Sequence, residues 1–155
     1  MLKSEKKLGE ILLEEGLITE QELKSSLKEQ AVTKEFLGKI LIRKNLIKEK
    51  DLLTALAKQF NLSVVSLKNK YIDWQIAKDF SSSLIFDYRC LPIQKDNNSV
   101  TMAINNPLDI KVIKKAEEEA KGLNLKWVLV AQEDLEDAIL RYQKYLRGQI
   151  LKLFK

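Results

Sequence analysis

Glycine, leucine and glutamine residues recur in this chain in two copies with the same spacing. The first copy spans residues 7–30 and the second spans residues 36–59, so equivalent positions lie 29 residues apart. A glutamine amide both donates and accepts hydrogen bonds, and a glycine lets a ligand approach the backbone closely. The duplicated set could therefore provide two similar half-sites for one ligand.

The extent of the match indicates a true internal duplication. Of 24 aligned positions, 10 are identical, which is far more than chance produces. A structural explanation competes with ligand binding, because leucines at helical spacing more often form a core and a terminal glutamine is usually surface. The identical pairs are Leu8/Leu37, Gly9/Gly38, Ile11/Ile40, Leu12/Leu41, Leu17/Leu46, Ile18/Ile47, Glu20/Glu49, Leu23/Leu52, Leu27/Leu56 and Gln30/Gln59.

Composition argues against several classes of protein. The 155 residues include no histidine, so a histidine base and a histidine-ligated metal are both excluded. Neither a G-x-x-x-x-G-K-[ST] phosphate loop nor a G-x-G-x-x-G motif occurs. The sequence thus predicts no catalytic residues, no metal site and no cofactor, and a chain that is not an enzyme. The single cysteine, Cys90, cannot form an internal disulfide, which favours the cytoplasm.

The net charge of +5 is concentrated at one end of the chain. Residues 141–155 contain five basic residues and no acidic one, whereas residues 1–140 are neutral overall. Interleaved charges of this kind are typical of solvated helix surface, so we expect no nucleic-acid partner. The basic tail could be a linker, the continuation of a helix, or a contact with a membrane surface.

Local signals predict two helical hairpins in residues 1–60. A helix over 5–15 ends at Gly16, and Thr19 with Glu22 forms a capping box that starts the next helix. The second copy predicts helices over about 35–44 and 48–60. Asn45 replaces Gly16 at the turn, and asparagine is the next-best residue for a left-handed backbone.

Residues 61–146 predict a mixed lobe of strands and helices. The overall prediction is an α+β fold: a four-helix lobe of two duplicated hairpins, then a small three-stranded sheet flanked by helices. A tail follows over 147–155. Strands are predicted at 62–67, 90–94, 99–104 and 125–130, and helices at about 73–79, 82–87, 109–121 and 132–146.

Both copies fit the pattern [R/K]LGxxLxxxGxxxxxxLxxxLxxQ, with departures at the first position of the second copy and at Asn45. With the later RCLPI, N-x-P-L-D and R-Y-x-x-Y segments, the chain resembles the N-terminal, MshEN-type domain of type II secretion and type IV pilus assembly ATPases (the general secretion pathway protein E family). The resemblance implies binding of the second messenger cyclic-di-GMP. It also implies two protein partners, an ATPase domain and an inner-membrane platform protein. The domain would then be cytoplasmic and peripheral to the inner membrane through its partners.

The resemblance places the ligand on the repeated positions. In the first copy these are Lys7, Leu8, Gly9, Leu12, Gly16, Leu23, Leu27 and Gln30. In the second they are Phe36, Leu37, Gly38, Leu41, Asn45, Leu52, Leu56 and Gln59. The glycines would admit phosphates, the leucines would face the guanine rings, and the glutamines would bind guanine edges.

The first motif position departs from the family pattern, which normally has arginine there in the first copy. Lys7 keeps the charge but loses the planar guanidinium, and Phe36 can stack on a base but cannot neutralise a phosphate. An alternative function is therefore kept beside the first. In that alternative the domain is a docking adaptor that couples an ATPase to the platform protein without binding nucleotide.

Overall fold

Four α-helices form the first of two units in the computed structural model, which describes residues 2–155. This unit ends at Leu62, and Ser63–Lys155 form the second unit. The helices come in two short–long pairs because the repeat is written twice. They are α1 (Leu8–Glu14), α2 (Glu20–Thr33), α3 (Leu37–Arg43) and α4 (Glu49–Phe60).

The two short helices end in the same kind of turn. Gly16 has φ of 69° and Asn45 has φ of 59°, so both lie in the left-handed region as predicted. In each turn the following residue bonds back into the helix: the Leu17 N–H donates to the Leu12 carbonyl and the Leu46 N–H to the Leu41 carbonyl. Both helices begin later than predicted, at the second position of the motif.

The long helices begin with related but unequal caps. The Glu22 N–H donates to Thr19 Oγ1 at 3.1 Å, and the Thr19 N–H donates to Glu22 Oε1 at 2.9 Å, which confirms the predicted capping box. At the equivalent start of α4, the Lys48 N–H donates to Asp51 Oδ2 at 3.1 Å. Lysine has no acceptor to return the bond, so only half of the box forms there.

A leucine-rich core joins the four helices, with α1 packed on α4 and α2 packed on α3. Leu12, Ile40 and Leu41 are fully buried in it. Among the repeated leucines the equivalence of the copies fails at one pair: Leu56 is 2% exposed, whereas its counterpart Leu27 is 45% exposed. The two long helices therefore differ in how much apolar surface they leave open.

The second unit is a sheet flanked by helices. Its sheet has the order β1-β4-β3-β2, with β1 and β3 parallel to β4 and β2 antiparallel to β3. The elements are β1 (Ser63–Val64), a 3-10 helix (Trp74–Asp79), α5 (Ser82–Phe86), β2 (Leu91–Lys95), β3 (Ser99–Ile104), α6 (Ile110–Glu119), β4 (Asn124–Leu129) and α7 (Gln132–Lys152).

The sheet has four strands rather than the predicted three, and its first strand is much shorter than the predicted 62–67. The chain leaves the sheet early because α7 binds its backbone: the Leu67 N–H donates to Asp134 Oδ2 at 2.6 Å, and Arg141 Nη2 donates to the Leu67 carbonyl at 2.8 Å. The α+β class itself is confirmed.

Helix α7 extends past its predicted end at residue 146, so most of the predicted tail is helical. Its inner face carries Leu135, Ile139 and Tyr142 into the core, as the spacing predicted. No helix within residues 2–155 combines the length and the apolar character that crossing a membrane requires.

Candidate functional site

The two copies meet at two equivalent corners of the helical unit. Gln30 ends the first copy, and its Nε2 donates to the Glu35 carbonyl at 3.0 Å, just before α3 begins. Gln59 ends the second copy, and its Nε2 approaches Ser4 Oγ at 3.4 Å, just before α1 begins. Each terminal glutamine therefore sits beside the start of a short helix that belongs to the other copy.

The first motif residue stands at the entrance of each short helix. Lys7 and Phe36 precede α1 and α3 with extended backbones, ψ of 151° and 138°, and neither provides a side-chain cap. Lys7 is exposed and Phe36 is half-buried. Lys7 thus places a cation at the start of α1, and Phe36 places an aromatic ring at the start of α3, next in sequence to the Glu35 carbonyl that accepts from Gln30.

The paired glycines lie inside the hairpins, where a leucine fills the space that a side chain would need. A Cβ on Gly9 would come within 2.9 Å of Leu23 Cδ1, and one on Gly38 within 2.7 Å of Leu52 Cδ1. Real Cβ atoms essentially never approach so closely. Close packing of α1 on α2 and of α3 on α4 therefore accounts for both glycines, which sequence reasoning had assigned to phosphate approach.

The predicted leucines divide by accessibility. Leu12 and Leu41 have no exposed surface, and Leu8, Leu37 and Leu56 are almost fully buried, so none of these offers a face to a ligand in this structure. Only the accessible leucines could pack against guanine rings as predicted. These are exposed Leu27 and half-buried Leu23 and Leu52.

Gln59 opens onto a cleft beside α1 and α4. The cleft has a volume of about 660 Å³, and its charged lining is balanced: Lys3, Lys6 and Lys58 with Glu5, Glu14 and Glu15. Gln59 Oε1 is buried and accepts no hydrogen bond from any residue in 2–155. A buried acceptor of this kind is usually paired, so a donor on a ligand at this corner would satisfy it.

Ion pairs that sequence reasoning had missed hold each corner together. Arg43 binds Glu29 and, at 2.9 Å, Glu35, while Lys6 binds Glu14 at 2.8 Å and Lys58 binds Glu15. A hydrogen bond from Arg43 lowers the pKa of Glu29. The signal in the sequence was the inverted charge at positions 29 apart, Glu14/Arg43 and Glu15/Lys44.

Polar groups of the second unit have structural explanations. Asn105 Nδ2 donates to the Val130 carbonyl at 2.8 Å, and the Leu108 N–H donates to Asn106 Oδ1 at 3.0 Å, which is ordinary turn chemistry. Burial raises the pKa of the Cys90 thiol, so it is unsuited to nucleophilic chemistry. Residues 2–155 hold no group of three or more acidic or cysteine side chains placed to bind a metal.

A family model of the MshEN domain matches residues 60–149. The chain belongs to the MshEN domain family. The predicted resemblance is thereby confirmed, although the match falls on the second unit and leaves the tandem repeat almost wholly outside it. A comparison with curated proteins finds no match.

Solved structures extend the similarity of this MshEN domain across the repeat. A structure of MshE with cyclic-di-GMP (cdg) is 27% identical, with a TM-score of 0.83, and the match covers 89% of this chain and 99% of that one. The N-terminal domain of XpsE is 20% identical in two crystal forms. Their TM-scores are 0.67 and 0.55, over 91% and 88% of this chain and 96% and 98% of theirs. The XpsE matches establish the shared fold.

Proposed function

We propose that this MshEN domain binds cyclic-di-GMP through its helical unit and regulates a type II secretion or type IV pilus ATPase. The observation that carries the proposal is the similarity to MshE with cyclic-di-GMP, because it spans the tandem repeat as well as the sheet. The ligand has two guanines and two phosphates related by an approximate two-fold axis. Two equivalent corners match that symmetry.

Each corner would hold half of the ligand. The accessible candidates at the first corner are Lys7 and Gln59, and at the second they are Phe36 and Gln30. Lys7 would pair with a phosphate, Phe36 would stack on a guanine, and the glutamine amides would bind guanine edges. Leu23, Leu27 and Leu52 would supply the remaining apolar contacts.

The departures at the first motif position predict reduced affinity. A lysine forms a point contact with a phosphate, whereas an arginine binds it through two parallel N–H groups and also stacks. Losing the second N–H contact should weaken the complex by about 10–100-fold, where each factor of ten corresponds to about 1.4 kcal/mol of binding free energy. We expect micromolar rather than tighter binding.

Regulation would follow from clamping. A ligand that touches both corners bridges the two copies and fixes their relative orientation, and it stabilises whichever arrangement binds it better. A neighbouring ATPase domain would sense that arrangement. If the two hairpins keep the same relative orientation with and without ligand, the clamping hypothesis is wrong, even if the protein binds cyclic-di-GMP.

Calorimetric titration with cyclic-di-GMP, with GTP as a control ligand, tests the proposal. Lys7→Glu and Phe36→Ala are preferred to glycine variants, because bulk at Gly9 or Gly38 would displace a packed leucine. Lys50→Glu is a matched charge change on the exposed surface of α4. We expect binding to be lost in the first two variants and kept in the third. No heat near millimolar ligand would contradict the proposal.

The docking adaptor is the second candidate, and one observation favours it. Leu23 and Leu52 fill the glycine faces that the ligand's phosphates were expected to approach. In this candidate the domain couples an ATPase to an inner-membrane platform protein and so becomes peripheral to the membrane. A chain that ignores cyclic-di-GMP yet binds the platform protein's cytoplasmic part would establish it.

A further inference from the structure

The end of α7 exposes more apolar surface than any other short segment in residues 2–155. Ile150, Leu151, Leu153 and Phe154 are all exposed, and the last two are 81% and 83% accessible. Scattered exposed apolar residues are ordinary, but a contiguous cluster of four in five residues marks a contact surface.

The charged residues around this cluster are all basic. After Asp137 the chain contains no acidic residue, and Lys144, Arg147, Lys152 and Lys155 flank the apolar positions. Basic residues near a helix C-terminus interact favourably with the helix dipole. This interaction accounts for Lys152 but not for the apolar cluster beside it. A partner for this surface must therefore be apolar and negatively charged together.

Helical geometry arranges the segment for contact along its side. Arg147 and Leu151 are four residues apart in α7, which places them on one face of the helix. The helix ends at Lys152 and a turn follows it, in which the Phe154 N–H donates to the Leu151 carbonyl at 3.2 Å.

One of the two edge strands of the sheet, β2, carries Pro92 in its buried first half, a shift in register between Pro92 and Gln94, and Lys95 at its end. All three features discourage the addition of another strand.

We propose that residues 144–155 bind the surface of an anionic lipid bilayer, with Leu151 and Phe154 inserted among the headgroups and the lysines paired with lipid phosphates. Apolar insertion combined with attraction to anionic lipid is how amphipathic segments bind a membrane interface. The occupant is a bilayer because an anionic membrane presents an apolar interior beneath a layer of negative headgroups, which complements exposed apolar side chains flanked by basic ones. The proposal is independent of cyclic-di-GMP binding.

Co-sedimentation of the full chain with lipid vesicles tests this proposal. We expect binding to vesicles of phosphatidylglycerol and phosphatidylcholine, weak binding to phosphatidylcholine alone, and release by added salt. Lys152→Glu with Lys155→Glu should lower the affinity more than tenfold, since each basic residue near the surface is worth about fivefold. Leu151→Ser with Phe154→Ser should abolish binding.

Val32→Ser is the matched control, because Val32 is an isolated apolar residue of α2 with 82% of its surface exposed. It should bind vesicles as the parent chain does, and circular dichroism should show all variants folded. Equal binding to neutral and anionic vesicles, or no binding to either, would overturn the proposal. Self-association of the chain through Leu151 and Phe154 without lipid binding would overturn it in favour of a second copy.

Discussion

Arg43 and Glu14 occupy equivalent positions of the two copies and carry opposite charges, and each binds the equivalent partner of opposite sign. Arg43 binds Glu35 at 2.9 Å, and Glu14 binds Lys6 at 2.8 Å. Lys44 with Glu29 and Glu15 with Lys58 repeat the relationship. The duplication has therefore kept the geometry of its corners while inverting their charge.

The inverted charges favour pairing of a first copy with a second copy over pairing of two first copies or of two second copies. Two first copies packed together would set Glu29 against Glu15, and two second copies would set Lys58 against Lys44. Like charges at these places oppose homotypic assemblies of two first copies or two second copies, which a duplicated hairpin would otherwise allow.

Reversing the charge of Arg43 should reveal its energetic coupling to Glu29. Arg43→Glu would face Glu29 and Glu35, so we expect a lower urea midpoint at low salt and a smaller loss at high salt, because these side chains are partly exposed to solvent. Adding Glu29→Lys should restore part of the loss. Strictly additive effects of the two substitutions would show that the pair is uncoupled.

Much of the helical unit could be predicted from local chemistry. The Thr19 capping box and the left-handed Asn45 depend on residues within one turn, so spacing alone identified them. The roles of Gly9 and Gly38 could not be predicted, because they depend on leucines 14 residues away. The early end of β1 could not be predicted for the same reason, since Asp134 and Arg141, which bind the backbone of Leu67, lie far from it along the chain.

Close packing at the glycines predicts an overpacking penalty. Gly38→Ala should lower the free energy of unfolding by about 1–3 kcal/mol, because its Cβ would lie 2.7 Å from Leu52 Cδ1. The loss should shrink in a Leu52→Ala background, where the space is open. Chemical denaturation of the four variants measures this coupling.

Gly148→Ala is the matched control, because a Cβ there meets nothing within 4 Å. It should raise stability by about 0.5–1 kcal/mol, as removal of a helical glycine usually does. An equal response at the two sites would contradict the packing explanation for Gly38.

The two turn residues predict opposite effects on stability when a Cβ is removed at one and added at the other. Asn45→Gly should raise the free energy of unfolding by up to about 1 kcal/mol, because glycine adopts a φ of 59° without a Cβ clash. Gly16→Ala should lower it by about 1–2 kcal/mol, since its φ of 69° is strained for alanine. Thermal melts compare the two. A stabilising Gly16→Ala would mean that the turn relaxes to a different conformation.

Glu119 joins the end of α6 to the start of α5. It accepts from the Ser81 N–H at 2.6 Å and from Ser81 Oγ at 2.7 Å, and Lys115 Nζ lies 3.3 Å away. Partial burial acts to raise the Glu119 pKa, but the bonds from Ser81 and the charge of Lys115 outweigh it and lower the pKa below its ordinary value of 4.5. A lowered pKa stabilises the fold above pH 4.5, and that stability is lost as the pH falls through the folded-state value.

Glu119→Gln should therefore cost about 1–2 kcal/mol at neutral pH, because a neutral amide accepts the Ser81 bonds more weakly and lacks the pair with Lys115. The difference between the variant and the parent chain should narrow as the pH falls below 4.5. Glu118→Gln, at the neighbouring exposed position of α6, controls for the loss of one negative charge. Urea denaturation at neutral pH and near pH 3 measures both. A difference that stays constant with pH would show that the ionised carboxylate at residue 119 does not hold α5 to α6.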